Sequence, residues 1–412
     1  MKSVIISNPV WGEKYCDDFC NYSLKSLLFK GNIIKLKKKY KITLHILTMR
    51  DDLKFFQKNK YFNLIPEDVS IQFYFFKKNL FSKFSTITRL QNISISYSKD
   101  FDYILFNYAD FIWGDLSLYN VIKELEESKK NFLTFFCLPV KGNSLKKFLK
   151  TNKDVSVTNL KKFSINNLHR YATLRFWDDN EFTLTPTFII FPIRSLGLIV
   201  SAYHQTILAA STRKTNYLLR GGIKGITLDE YFSSVLNTND YKVINNKENI
   251  MVSALCFGTL NSEIPSQKSR NDALKWCFKR FNNCNRELSE NLIFFSSLKL
   301  PKNSLLIKAK TESLKKIKEL NATYKFTKFS HFFLTNYLIV PCTEKVLSIY
   351  RLIHKYIFKL KHLMSLIIYN FIYIYGKSIN WGIYYLFSVL FQRQKILRKP
   401  KLFKILKKKI YK

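Results

Sequence analysis

Acidic residues are scarce in this sequence of 412 residues: 29 Asp and Glu stand against 68 Lys and Arg, a formal net charge of +39. From Lys345 to Lys412 there is no acid at all, while sixteen residues are Lys or Arg. An ordinary soluble enzyme has no need of such a balance. A chain this basic seeks anionic partners: nucleic acid, anionic lipid or a phosphorylated substrate. Specific nucleic-acid readers favour Arg for bidentate contacts, and no Arg-rich element stands out. Nucleic acid is therefore not the expected partner. Lipid headgroups and diphosphates accept Lys as a point charge. The abundant Lys, Asn, Ile, Phe and Tyr share AT-rich codons, so a low-GC genome would raise them together.

Cysteine is also sparse. The seven are scattered, their number is odd, and no CxxC pair occurs. Cys16 and Cys20 are spaced for one helical turn. The pattern predicts reduced, buried thiols in a cytoplasmic protein rather than a disulfide framework. The opening MKSVIISNPVWGEKY has too short an apolar run for a signal peptide, and Pro9 interrupts it. No GxGxxG, GxxxxGK[ST] or HExxH occurs, which sets aside the usual dinucleotide, P-loop and zincin readings.

Hydrophobic residues make up 47% of the chain, enough for a substantial core. Strand signals fall at Val4–Ser7, Ile42–Thr48, Val69–Phe76, Asp102–Phe106 and Asn131–Leu138. Helical spacing falls at about Tyr15–Lys30 and at Ser117–Lys129. Elements alternate as in βαβ units with a parallel sheet. Further strands are expected at Phe188–Pro192 and, as the last, at Ile250–Phe257. Residues 260–290 are polar, fitting a boundary or a surface helix.

Chemistry-bearing residues follow these strands. After the apolar strand ending at Phe106 comes Asn107-Tyr108-Ala109-Asp110, and then Trp113-Gly114-Asp115. Ligands of open α/β sheets bind at the carboxyl ends of strands, and a carboxylate there can hold a divalent cation that bridges a diphosphate. Asp115 has an alternative as the N-cap of the helix near Ser117. Trp11, Gly12 and Glu13 follow the first strand, where Trp11 either lies beside a ligand or closes the sheet end. His204 sits in an apolar stretch, as a core histidine or a catalytic one. Asp229 follows a glycine turn and suits a general base, with Asp178 and Glu181 as rivals. Arg213, Lys214, Arg220 and Lys224 flank that turn, either to contact diphosphate or as a solvated loop. Trp177-Asp178-Asp179 is either a sugar-stacking island or a surface loop.

The opening IISNPVWGEKYCDDFCNYSLKSLLFKGN resembles a bacterial group of glycosyltransferases with a GT-A-like α/β fold. Members carry a similar Trp-Gly-Glu-x-Tyr followed by Leu-Leu-x-x-Gly-Asn. ADFIWGDLSL, AYHQTIL and TLDEYF resemble later elements of the group, in the same order, so the similarity spans residues 1 to 257. It implies a GT-A-like Rossmann-type mixed sheet with helices on both faces, a nucleotide-sugar donor and a divalent cation, Mg or Mn. Carried over residue by residue, Asp110 falls at the sugar-nucleotide or metal carboxylate, and His204 and Asp229 at later active-site positions. Trp11, Glu13, Asp115 and Arg220 join Asp110 as the donor-binding set. The chain departs from the pattern in lacking an Asp-x-Asp triplet, which puts metal dependence in doubt. It also has Leu116 and Glu230 where the group tends to have glycine.

The last sixth of the chain reads differently. From Tyr350 to Tyr375 apolar residues recur every three or four positions, with Lys355, Lys359 and Lys361 off the stripe, the pattern of an interfacial helix. Gly376–Asn380 interrupts it. Asn370, Lys377 and Asn380 argue against one clean span. A polybasic end adds about 1 kcal/mol per cation near an anionic leaflet. A buried helix pair is the alternative.

The expected organisation is a catalytic domain over 1–260, a linker or accessory segment over 261–345, and membrane-associating helices over 346–412. The function expected is glycosyl transfer from a nucleotide sugar to a cell-surface glycan or lipid-linked acceptor. It would take place in the cytoplasm, with the protein peripheral on the inner membrane. A basic nucleic-acid-binding or membrane-scaffold protein is the competing class, and a transferase fold that has lost activity is a third.

Overall fold

The computed structural model describes residues 1–77, 83–152, 155–179, 181–183, 186–193, 197–213, 215, 232–233, 236, 239–245, 249–257, 269–278, 281–296 and 304–324. The chain divides into two units, Met1–Tyr337 and Leu338–Lys412. The second unit, and with it the expected C-terminal amphipathic helices, lies outside the described residues.

The first unit is built on a seven-stranded mixed sheet. Its strands are β1 (Lys2–Pro9), β2 (Tyr40–Thr48), β3 (Ser70–Phe75), β4 (Tyr103–Phe106), β6 (Phe132–Phe135), β10 (Thr206–Ser211) and β11 (Tyr241–Val243). The spatial order is β11-β6-β10-β4-β1-β2-β3. β1 pairs in parallel with β2 and β4, and β2 with β3; β10 runs antiparallel between β4 and β6. This is a mixed, Rossmann-type α/β sheet with helices on both faces, as the sequence led us to expect.

The alternation of β1 shows why both faces are covered. Val4 and Ile6 enter one apolar cluster and Ile5 enters another, as the period of two requires. The second face is covered by α2 (Lys83–Tyr97), whose Ile95 packs with Ile5 and Ile104. On the first face lie α1 (Glu13–Asp18) and α3 (Ser117–Ser128). In α3, Leu118, Val121, Ile122 and Leu125 are buried, a spacing of three and four that gives one apolar stripe. Each such side chain withdrawn from water stabilises the fold by about 1.5–3 kcal/mol.

The expected helix over Tyr15–Lys30 is broken. After α1 the chain widens into a π turn at Phe19–Leu24 and regains α geometry at Lys25–Leu27. The expected strand Asn131–Leu138 is two strands, β6 and β7 (Leu138–Lys141). β7 leaves the large sheet and pairs with β12 (Val252–Cys256), which also pairs with β5 (Phe111–Trp113).

β12 is not the last strand. β13 (Ile293–Phe295) joins β9 (Gly197–Ala202) and β8 (Phe188–Ile193) in a third sheet. Its core is shared with helices α4 (Arg270–Phe278) and α6 (Ser304–Thr323), through Ala273, Leu274, Phe278 and Ile317. Between those helices in sequence, α5 (Asn283–Glu290) is opened by a capping box, Asn282 and Asn285 each accepting from the other's backbone N–H.

Candidate functional site at the carboxyl edge of the sheet

β1 lies between β2 and β4, so the chain order reverses there. The carboxyl ends of β1 and β4 at that switch point are where an open α/β sheet forms its ligand crevice. The loop after β1 carries Trp11, Gly12 and Glu13. Gly12 adopts φ 80, a left-handed conformation that a residue without Cβ takes at no steric cost. Its N–H donates to Asp52 Oδ2 at 2.8 Å. Asp52 is buried and sits just past β2, so it ties the ends of two neighbouring strands together.

Trp11 is half-buried and packs edge-on against Phe76, with ring centroids 5.7 Å apart. Glu13 is exposed, and with Lys14, Asp17 and Phe55 it lines a shallow groove of about 530 Å³. Arg50, exposed at the end of β2, lies 5.2 Å over the Phe75 ring.

After β4 comes Asp110, half-buried, whose carbonyl accepts the Leu255 N–H at 2.9 Å. Its loop rests on a buried polar lattice. Asn107 Nδ2 donates to Asn8 Oδ1 at 2.9 Å and to Ser23 Oγ at 3.1 Å, while Asn107 Oδ1 accepts from the Trp113 indole at 2.8 Å. Ser23 Oγ in turn donates to the Tyr108 carbonyl at 3.2 Å. Asn8, Asn107 and Trp113 are fully buried, where each unmet hydrogen bond would cost about 1–3 kcal/mol. The sequence does not single out Asn8, Asn107 or Ser23 as site residues; the available signal is an Asn at the carboxyl end of each of two apolar strands.

His204 immediately precedes Gln205 and β10. Because β10 is antiparallel to β4, its start lies at this same edge, in the second strand position from β1. Adjacent strands are about 4.8 Å apart. His204 is half-buried and edge-on to Phe281 at 5.1 Å. Trp11, Glu13, Asp110 and His204 thus belong to one edge of the sheet.

Other residues lie elsewhere. The Asp115 carboxylate accepts the Gly31 N–H at 2.6 Å, which ties that turn to the start of α3. It does not cap α3: Leu116 is the N-cap residue, at φ 71 with no side-chain cap bond. Arg213 follows β10 at the opposite edge, where Ser211 pairs with Tyr103. Glu181 pairs with Arg170 at 3.0 Å and Asp178 with Lys316 at 3.9 Å. The Trp177 ring is approached by Arg270 at 5.3 Å and Lys316 at 6.0 Å. Arg220 and Asp229, with Lys214 and Lys224, lie outside the described residues.

Among the described residues no group of three or more His, Cys, Asp or Glu is placed to hold a metal ion. The Asp110 carboxylate, at the end of a strand, is of the kind that takes a cation arriving with phosphate ligands, since Mg²⁺ commonly binds through one or two carboxylates plus substrate phosphates. Near this edge, the Cys16 and Cys20 thiols are held protonated. Burial, with the nearby Asp52 charge, raises Cys16, and burial pushes Cys20 up to about 12. Among the described residues no helix is long and apolar enough to cross a membrane.

No family model matches the chain, and no curated protein matches it. Solved structures do. The chain is 13% identical to S. aureus TarS, covering 70% of this chain and 42% of that one, with a TM-score of 0.32. It is 13% identical to S. aureus TarS 1–349 in complex with UDP-GlcNAc, covering 82% and 77%, with a TM-score of 0.33. A 4-diphosphocytidyl-2C-methyl-D-erythritol synthase from Anaerococcus prevotii is 9% identical, covering 61% and 90%, with a TM-score of 0.31.

Proposed function

We propose that this chain is a glycosyltransferase that takes its sugar from a nucleotide-sugar donor at the carboxyl edge of the large sheet. One observation carries the reading: the Trp11–Glu13 loop and Asp110 follow the two strands that flank the switch point. That is the place where α/β sheets receive nucleotides. The resemblance of the opening segment and of ADFIWGDLSL to a glycosyltransferase group supports the same assignment.

Transfer needs the leaving diphosphate neutralised and the acceptor hydroxyl deprotonated. Trp11 offers a ring face beside the donor base. Asp110 is the residue that would hold a Mg²⁺ or Mn²⁺ ion arriving with the donor's diphosphate, and such an ion would supply positive charge to the leaving group. His204 and Asp229 are the residues we assign to the acceptor side, with Asp229 as the base. The acceptor is a cell-surface glycan or a lipid-linked sugar. The protein works in the cytoplasm at the inner membrane face, to which the cationic, aromatic 346–412 segment binds.

The test is a panel of nucleotide sugars offered to wild type and to Asp110→Ala. Wild type is expected to bind at least one donor and to hydrolyse it slowly, and Asp110→Ala to lose at least ten-fold in donor binding. A wild-type protein that binds no donor, yet shifts DNA in a salt-dependent manner, overturns the reading.

A further inference from the structure

A second surface of the first unit has a composition that the donor site does not explain. Residues 30–41, KGNIIKLKKKYK, hold six lysines and no acid. The chain folds them around a groove of about 540 Å³ lined by Lys30, Ile34, Lys35, Lys38, Lys39 and Tyr119. The four lysines are exposed; Ile34 and Tyr119 are half-buried. Lys35 Nζ lies 4.5 Å over the Tyr119 ring and Lys39 Nζ 5.4 Å over it, with Lys39 also donating to the Tyr119 hydroxyl at 2.9 Å. Lys37, which also lies between them in sequence, is turned aside to Asp68 at 2.8 Å.

We propose that this groove is a docking site for the surface of an anionic lipid bilayer. Charge complementarity selects an anionic partner, and the floor of the groove selects among anions. A soluble phosphate satisfies ammonium groups but offers nothing to Ile34 or to the Tyr119 ring. A bilayer interface offers both, because headgroup charge lies directly above an apolar boundary in which amphipathic rings and lysine stems settle. Each lysine near an anionic leaflet strengthens binding about five-fold. Lys38 and Lys39 immediately precede β2, whereas Arg50 and Asp52 follow it, so the groove and the donor edge are served by opposite ends of that strand. The inference deepens the membrane side of the function proposed above and does not depend on the donor chemistry.

The experiment uses the full chain with vesicles of phosphatidylcholine alone or mixed with phosphatidylglycerol, and reads lysine acylation by mass spectrometry. Lys30, Lys35, Lys38 and Lys39 are expected to be protected several-fold by anionic vesicles and not by neutral ones, while exposed Lys310 stays reactive. The triple variant K35Q/K38Q/K39Q is expected to lose about 100-fold in partitioning to anionic vesicles, from three factors of about five, with donor binding unchanged. Vesicle-bound wild type whose groove lysines remain reactive overturns the docking site. A wild type that ignores anionic vesicles overturns the membrane reading as a whole. Protection by soluble polyphosphate but not by vesicles assigns the groove to a free polyanion and overturns the proposal.

Discussion

The indole N–H of Trp113 donates to the side-chain carbonyl of Asn107 at 2.8 Å, and both residues are sealed from solvent. The same Asn107 amide reaches back to Asn8 on β1, so one side chain joins the ends of β1 and β4 to β5. We expect Asn107→Leu to destabilise the fold by about 3 kcal/mol, because it strands the Asn8 carbonyl and the indole N–H in the core. Trp113→Phe, which removes only the donor and some volume, should cost less, about 1–2 kcal/mol. Urea midpoints of the two variants at pH 7 check the order; equal or reversed losses would mean that the lattice does not hold the strands.

Much of this framework was legible in the sequence, and the exceptions have physical reasons. β1, β2 and β4 could be read because buried parallel strands are near-continuous apolar runs, as in Val4–Ile6 and Ile104–Phe106. Helix α2 could not: its Ile87, Leu90, Ile93 and Ile95 are interleaved with Ser, Thr and Asn, which favour turns and caps when judged locally, and only packing against β1 settles it. β5 has three residues, too few for any period. Trp11 and Asp110 could be placed at strand ends by the alternation of elements alone. That Asp115 turns to Gly31 rather than to a ligand could not, since that contact spans 84 positions.

Gly31 is a point where the backbone must pass close to another segment. A Cβ there would fall 2.6 Å from Leu116 Cδ2 and 2.7 Å from Asp115 Oδ1. Gly31→Ala should therefore cost about 1–3 kcal/mol through overpacking. Leu116 itself is held at φ 71, a left-handed conformation that costs an L-residue roughly 1–2 kcal/mol. Gly31→Ala combined with Leu116→Gly should recover most of the loss, and a double-mutant cycle in urea measures the coupling. Simple additivity would show that the two positions do not meet.

His45 gives the fold a defined response to acid. It is buried on β2, its Nδ1 lies 3.0 Å from Ser94 Oγ, and Ser94 accepts from Ser7 at 2.8 Å. Burial lowers its pKa to about 4, against 6.5 in an unfolded chain. Between those values the unfolded state binds more protons, so stability is full above about pH 6.5 and falls as the pH drops toward 4. The loss from this group is at most about 3 kcal/mol. His45→Asn should be less stable than wild type at pH 7, and the gap should narrow at pH 5. A gap that is constant with pH would show that His45 charges freely in the fold.

Asp52 is the residue on which the loop after β1, proposed above to receive the donor, hangs. Its Oδ2 accepts the Gly12 N–H at 2.8 Å and lies 3.5 Å from Thr48 Oγ1. A hydrogen bond to a charged acceptor is worth about 1.5–3 kcal/mol. Asp52→Ala should release the turn that sets Trp11 and Glu13, and so weaken nucleotide-sugar binding about ten-fold or more. Asp52→Asn keeps an acceptor oxygen at the same place and should restore much of that affinity. The Asp52 side chain acts through Gly12, so the effect belongs in donor affinity rather than in kcat, and calorimetric titration of both variants reads that affinity directly. If Asp52→Ala binds donor as tightly as wild type while remaining folded, the loop after β1 is not where the nucleotide rests, and the donor site must be sought around Asp110 and His204 alone.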